Sequence, residues 1–423
     1  MPAIQIHAIR GVASGALRSR KVISLFAGNG LGQIIAIAAV PAIARLFDAG
    51  AVGAFGLFTS TVAALAVVSC LALEQAIPLA EDARAASALR VASAAVLAGF
   101  VALLALLLFA ARPFGLGWLG GLAQNAALLP ASILLVGLVQ IGVQSATQRR
   151  DFHRLSLGFA VRTGGTALAQ IAMAFLLPTG TGMILAQMLA LAATLVVLGD
   201  SLRGPLPTRQ ELRAEMARHS NCPLFLAPRL AVGALGDVAM LLLLSAWFST
   251  EEVGYYWMAA RLLQVPAGFL DPPTRQLFMS AALDARARTG RFGSVLVTAS
   301  GALVAIAGMV ILVLMLFGHP LIRTVLGAGW EPAVTYVQIM AIGWLFDFAN
   351  IPFSNAVLLL GLQRQHFTFD IAYRTAMLAA LAIGCWNGDL LLGCMLVSGV
   401  KAVMASGFSL FVIRRSLQAP AAE

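Results

Sequence analysis

Eleven ionisable side chains interrupt stretches that are otherwise apolar: Glu74, Arg162, Arg229, Asp237, Arg261, Asp271, Arg275, Asp347, Asp370, Arg374 and Lys401. In hydrocarbon each costs on the order of 2.5–3.5 kcal/mol at a helix centre unless it is paired or solvated. Eleven such groups call for a polar interior, a water-filled cavity or both, and nine of them lie in the second half of the chain. Spacing sorts them. Asp271/Arg275 and Asp370/Arg374 are i,i+4 pairs, close enough on one helix face to neutralise each other. For Asp370/Arg374 a structural ion pair is the favoured reading. Asp271 differs because Pro266 precedes it and Pro272 and Pro273 follow it. Those prolines free backbone carbonyls in mid-span, and a carboxylate beside them is suited to a cation. Arg229 and Asp237 are eight residues apart, on roughly one helix face, and Arg261 lies about two turns inside the next helix. Two readings stay open for this set: an arginine that grips a phosphate bidentately, or an Arg–Asp pair that ties two helices together. Glu74 and Arg275 lie near span ends, from which they can snorkel.

Other chemistries find no support. Four cysteines (Cys70, Cys222, Cys385, Cys394) sit in apolar stretches without metal-ligand spacing and read as packing residues. The five histidines fall at or beyond the ends of apolar segments, which argues against a buried histidine relay or metal site. No catalytic constellation and no metal site is expected.

The elements that position these charges are membrane helices. Apolar residues make up 60% of the 423, charged residues 11%, and mean hydropathy is +0.90. A soluble domain carries roughly 25% charged residues. Apolar runs fall near 21–46, 51–79, 87–111, 125–147, 155–177, 182–200, 221–248, 253–281, 292–317, 331–360, 367–386 and 390–413. These predict twelve spans at about 20 residues each. The second, eighth and tenth are long and are expected to tilt or kink. The first run is too long for a signal-peptide core.

Net charge is +10, which in a soluble protein would suggest nucleic acid. Here its distribution follows topology, and no nucleic-acid partner is expected. With both termini in the cytoplasm, only Arg45, Arg112 and Arg323 fall outside. Inside lie the segment 1–20 with Arg18 and Arg20, the turn Arg149-Arg150 with Arg154, and the connection holding Arg203, Arg209, Arg213 and Arg218. Trp118, Trp247, Trp330 and Trp386 mark outer helix ends, as an aromatic belt would. Small residues at Gly28-Asn29-Gly30-Leu31-Gly32 and Arg162-Thr163-Gly164-Gly165 read as close helix packing rather than a phosphate loop.

The halves resemble each other. Phe47, Val52 and Gly53 recur as Phe248, Val253 and Gly254 at a constant offset of 201. Gln148-Arg149 and Arg162-Thr163 recur as Gln363-Arg364 and Arg374-Thr375. Six helices per half restore orientation, so the repeat predicts lobes at 1–205 and 206–423 related about an axis along the membrane normal. The basic stretch 201–219 joins them.

Several motifs carry a family resemblance. They are Ala44-Arg45-Leu46-Phe47 with Val52-Gly53, Glu74 through Ala80, Gln148-Arg149-Arg150-Asp151-Phe152, and Pro228 through Leu263. In order and spacing these resemble the polysaccharide-biosynthesis and O-antigen flippases of the multidrug/oligosaccharidyl-lipid/polysaccharide exporter superfamily. The resemblance implies an all-α membrane fold of two six-helix lobes around a central cavity that opens alternately to each side. It implies that the first, second, seventh and eighth helices line that cavity. Arg229, Arg261 and Arg275 then become candidates for binding an anionic headgroup. Glu74, Asp237, Asp271 and Asp347 become candidates for coupling to H+ or Na+, or for charge relay. No cofactor is implied.

The function that follows is transport of an undecaprenyl-pyrophosphate-linked oligosaccharide from the cytoplasmic to the periplasmic leaflet of the bacterial inner membrane. Its partners are that substrate, membrane lipids and other polysaccharide-assembly proteins. The alternative within the fold is a cation-coupled exporter of small drug-like molecules. A membrane enzyme is disfavoured, because the outer connections are short and hold no clustered His, Asp and Glu.

Overall fold

The computed structural model describes residues 20–111, 113, 117–289 and 291–418. His7, Arg18 and Arg112 lie outside the described residues, as do the side chains of Arg20, Trp118, Arg229 and Asp237. The chain is a succession of helices. They are α1 (Arg20–Leu46), α2 (Ala49–Ser69), α3 (Ala83–Ala111), α4 (Leu129–Gln148), α5 (Phe152–Ala160), α6 (Thr166–Ala174), α7 (Gly180–Leu202) and α8 (Arg209–Arg218). There follow α9 (Ala227–Trp247), α10 (Thr250–Thr289), α11 (Gly293–Val325), α12 (Ala333–Ala349), α13 (Phe353–Leu360), α14 (Gln363–Trp386) and α15 (Leu390–Gln418).

Among the described residues, nine helical segments are long and apolar enough to cross a membrane, and Gly30–Leu46 is a shorter apolar helix. This is a multi-pass membrane protein. Leu106 on α3 is 62% exposed and Leu316 on α11 65% exposed, each within a row of exposed apolar neighbours. Rows of that size need lipid to cover them. Besides the first, two of the twelve expected runs fall short, for visible reasons. The fifth is interrupted by a π turn, Val161–Gly165, between α5 and α6. The eighth, α10, carries Arg261, Asp271 and Arg275 in its middle.

The long runs behave differently from one another. The second breaks after α2: Leu71 and Ala72 adopt left-handed φ values of 51° and 58°, and a 3-10 segment, Leu73–Leu79, follows. The tenth breaks at Asn350–Pro352, where proline removes an N–H and disfavours helix in the preceding residue. The eighth does not break, running 40 residues through three prolines as one α-helix.

The chain divides into two compact units. Met1–Phe47 and Leu57–Val238 form one, and Asp48–Gly56 with Ala239–Glu423 the other. In the first, α1 packs along α5, the π turn and α6. Small residues make the approach close. A Cβ on Gly32 would lie 3.1 Å from the Ala160 Cα, and one on Gly164 would lie 3.4 Å from the Gly32 Cα. Stretch 201–219 is more than a connector. It contains α8, begun by a capping box between Thr208 and Glu211 and held to the start of α3 by Arg84–Glu211 (3.4 Å) and Arg218–Glu81 (3.2 Å).

In the second unit, the first turns of α2 meet the first turns of α10. Both helices start on a side-chain cap at equivalent positions. Asp48 Oδ1 accepts from the Ala51 N–H at 2.6 Å, and Ser249 exchanges bonds of 3.0 and 3.2 Å with Glu252. A Cβ on Gly53 would strike the Thr250 carbonyl oxygen and lie 2.8 Å from the Gly254 nitrogen. A Cβ on Gly254 would strike the Ala49 carbonyl oxygen. The contact is reciprocal: residues 49 and 53 touch 254 and 250, their counterparts at the offset of 201. One expectation fails nearby. Trp330 is only 3% exposed and lies edge-on to Tyr255, so it packs inside the unit instead of joining a surface belt. Trp247 and Trp386 are exposed.

Candidate functional site

The polar groups of the second unit form networks at mid-span. Asp347 lies near the middle of the α12–α13 segment. It accepts from Lys401 Nζ of α15 at 2.6 Å and from the Tyr373 hydroxyl of α14 at 2.8 Å. One carboxylate thus ties three helices together. Arg374, four residues past Asp370, donates Nε to it at 3.1 Å, which is the expected one-face pair. Near the helix break, Ser409 of α15 donates to the Asn350 side-chain oxygen at 2.6 Å.

The second network lies on α10. Arg275 engages both oxygens of Asp271, Nη2 at 3.3 Å, and its Nη1 donates to the Ser354 hydroxyl of α13. The Asn355 side chain donates to the Arg275 carbonyl at 2.9 Å. Asp271 is therefore half of an ion pair one turn long, and both members are half-buried. Pro272 and Pro273 lack N–H groups, so the carbonyls of Gly268 and Phe269 lose their usual helical donors even though the helix continues.

Arg261 is arranged differently. Its guanidinium carbon stands 5.4 Å from the centre of the Trp257 ring, in cation–π contact. Trp257 is itself seated, with the Phe55 ring edge-on at 5.7 Å and no room for a Cβ on Gly56, which would lie 2.5 Å from the indole. Among the described residues no carboxylate pairs with Arg261, nor with Arg162 at the π turn of the first unit. The carbonyl of Arg162, loosened by that turn, accepts from the Thr166 hydroxyl at 2.5 Å.

Glu74 does not snorkel. It is 4% exposed inside the first unit, and its Oε2 has no hydrogen-bond partner. The left-handed pair Leu71–Ala72 turns the chain inward just before it, so the end of the apolar run is folded under rather than projected toward water. Arg229 and Asp237 belong to α9, and their side chains lie outside the described residues.

Of the residues singled out from sequence, the structure joins Asp271 to Arg275, Asp370 to Arg374 and Asp347 to Lys401; Arg261 belongs to none of these pairs, and Glu74 is buried within the first unit. Sequence reasoning missed Tyr373, Ser354, Asn355 and Asn350. Neutral polar residues in apolar runs cost little and are common, so only the adjacency of Tyr373 to Arg374 offered a signal.

Among the described residues a helical membrane fold thus holds mid-span polar networks and two arginines, Arg162 and Arg261, that no described carboxylate pairs. That fold is shared with solved membrane transporters. The chain superposes on lipid II flippase MurJ in an inward closed conformation with a TM-score of 0.72 and 12% identity, covering 93% of this chain and 87% of that one. An inward-facing multidrug resistance MATE family transporter of the MOP superfamily gives 0.62 and 15%, covering 90% and 96%. A MOP superfamily transporter from Pyrococcus furiosus, described as having a binding pocket of reverse polarity, gives 0.55 and 16%, covering 94% and 95%. The chain has the fold of these transporters. No family model matches it, and no curated protein sequence does.

Proposed function

We propose that this chain moves an anionic lipid-linked oligosaccharide, carried on undecaprenyl pyrophosphate, across the bacterial inner membrane by alternating access. Arg261 carries the proposal. It is a guanidinium fixed by a tryptophan seat, in the interior of a membrane helix, with no described carboxylate to neutralise it. A pyrophosphate supplies the missing negative charge and matches the guanidinium fork. Arg229 and Arg275 are its proposed companions. The likeness to the lipid II flippase fold supports the reading. The reciprocal approach of Gly53 and Gly254 at the offset of 201 supports an internal repeat; on that repeat the proposal rests two lobes, 1–205 and 206–423, of six helices each, with twelve spans and both termini cytoplasmic.

A second reading is export of a small molecule coupled to H+ or Na+. What favours it is Glu74, a buried carboxyl with an open oxygen, together with the likeness to a multidrug transporter. Asp237, Asp271 and Asp347 are the further coupling candidates.

The test is binding of a short-chain prenyl pyrophosphate oligosaccharide to the purified protein. Arg261→Gln should weaken it by about tenfold or more, and Arg261→Lys by less, since a charged hydrogen bond contributes roughly 1.5–3 kcal/mol. Equal affinities for wild type and Arg261→Gln would remove the basis of the reading.

A further inference from the structure

The first unit holds a further arginine without a described hydrogen-bond partner. Arg90 is near the beginning of α3 and is 6% exposed. Its guanidinium packs against the backbone of the loop that follows α7, so closely that a Cβ on Gly204 would collide with it. Ser87, one turn earlier on α3, pins the same loop by donating to the Pro205 carbonyl at 2.5 Å.

The charged neighbour of Arg90 is another cation, Arg149 at the end of α4. Arg149 is already committed. Its Nη1 donates to the Asp200 carbonyl at 2.8 Å and its Nη2 to the Arg203 carbonyl, which satisfies the unpaired carbonyls at the end of α7. The two carboxylates nearby are committed as well. Asp200 pairs with Arg154 at 2.5 Å and Arg203 at 3.0 Å, and Asp151 pairs with Arg154 at 3.2 Å. Arg154 and Arg203 thus take up both aspartates, Arg149 is spent on backbone carbonyls, and among the described residues nothing accepts from Arg90. A buried cation beside a second cation is costly unless an anion joins them.

We infer that Arg90, flanked by Arg149, binds a phosphate-bearing anion at the end of the first unit where α3 begins and α4 and α7 finish. Basic pockets between membrane helices at the bilayer surface suit anionic headgroups. The next residue, Val91, starts an exposed stripe of small and apolar side chains, Val91, Ala95, Ala98, Ala102 and Leu106, that runs along α3 and suits an acyl chain. The ligand chemistry is a phosphate mono- or diester, from a phospholipid headgroup or from soluble phosphate. This site is independent of Arg261 and of the transported substrate.

The experiment is thermal unfolding of the full-length protein in a neutral detergent, titrated with phosphatidylglycerol, phosphatidylcholine or inorganic phosphate. Phosphatidylglycerol should raise the midpoint of wild type and of Arg84→Gln, an exposed arginine on the same helix. For Arg90→Gln its apparent affinity should fall by about tenfold or more. Arg90→Lys keeps the charge but loses the fork and should fall between them, which keeps the test decisive if Arg90→Gln does not fold. An Arg90-dependent shift with inorganic phosphate but not with lipid assigns the soluble source. Equal shifts from phosphatidylglycerol and phosphatidylcholine, or shifts indifferent to Arg90, would overturn the site.

Discussion

Lys401 and Asp347 show how the chain keeps charge at mid-membrane. The ammonium and the carboxylate offset each other's cost in an apolar setting, and the Tyr373 hydroxyl fills a further acceptor position on the carboxylate. Asp347→Asn should destabilise the protein by about 1–3 kcal/mol, below the figure for fully buried pairs because both side chains are partly exposed. Lys401→Met in that background should recover part of the loss. A thermal double-mutant cycle in detergent checks this, and strict additivity would mean that the contact contributes nothing. Glu211 gives a test outside the membrane. Hydrogen bonds from the Thr208 backbone and hydroxyl, aided by Arg84, hold its carboxyl below the usual glutamate range. A carboxyl lowered by folding stabilises the fold above its unfolded pKa, and that contribution disappears as pH falls through the lower, folded value. Amide exchange in α8 should therefore accelerate on acidification below the ordinary glutamate range. Thr208→Ala should blunt that response while costing about 1 kcal/mol of helix stability at neutral pH. A response unchanged by Thr208→Ala would mean that some other group titrates.

Helices α2 and α10 are placed by their glycines. Gly53 and Gly254 each face a carbonyl of the opposite helix with no room for a methyl. Gly53→Ala and Gly254→Ala should each lower stability by roughly 1–3 kcal/mol through overpacking, and by similar amounts because the contact is reciprocal. Gly30→Ala, where a Cβ meets nothing within 4 Å, should be neutral or slightly stabilising. Thermal midpoints of the three variants decide it, and tolerance at Gly53 alone would break the reciprocity. These glycines could be read from sequence because the repeat marked them twice. Helix α8 could not, since its ten residues carry no apolar face, and it is held by a capping box and two ion pairs to α3.

At the level of the whole chain, composition was enough to place it in a bilayer, and run length marked three segments as tilted or kinked, two of which break. What sequence could not supply is which charges meet. Asp271 and Arg275 were joined by helical periodicity, but Asp347, Tyr373 and Lys401 come from three helices and no spacing relates them. Glu74 was misread for a similar reason. A run end looks like a water-facing end until the left-handed residues Leu71 and Ala72 fold it under. Nor did the apolar pattern separate Trp330, which packs against Tyr255, from the exposed Trp386. The measurement that bears most directly on function is transport by the purified protein in liposomes, comparing a fluorescent prenyl-pyrophosphate oligosaccharide with a cationic dye. Translocation of the pyrophosphate lipid, lost in Arg261→Gln, with no dye movement under an imposed ion gradient, is the predicted result. Gradient-driven dye movement without lipid translocation would contradict it.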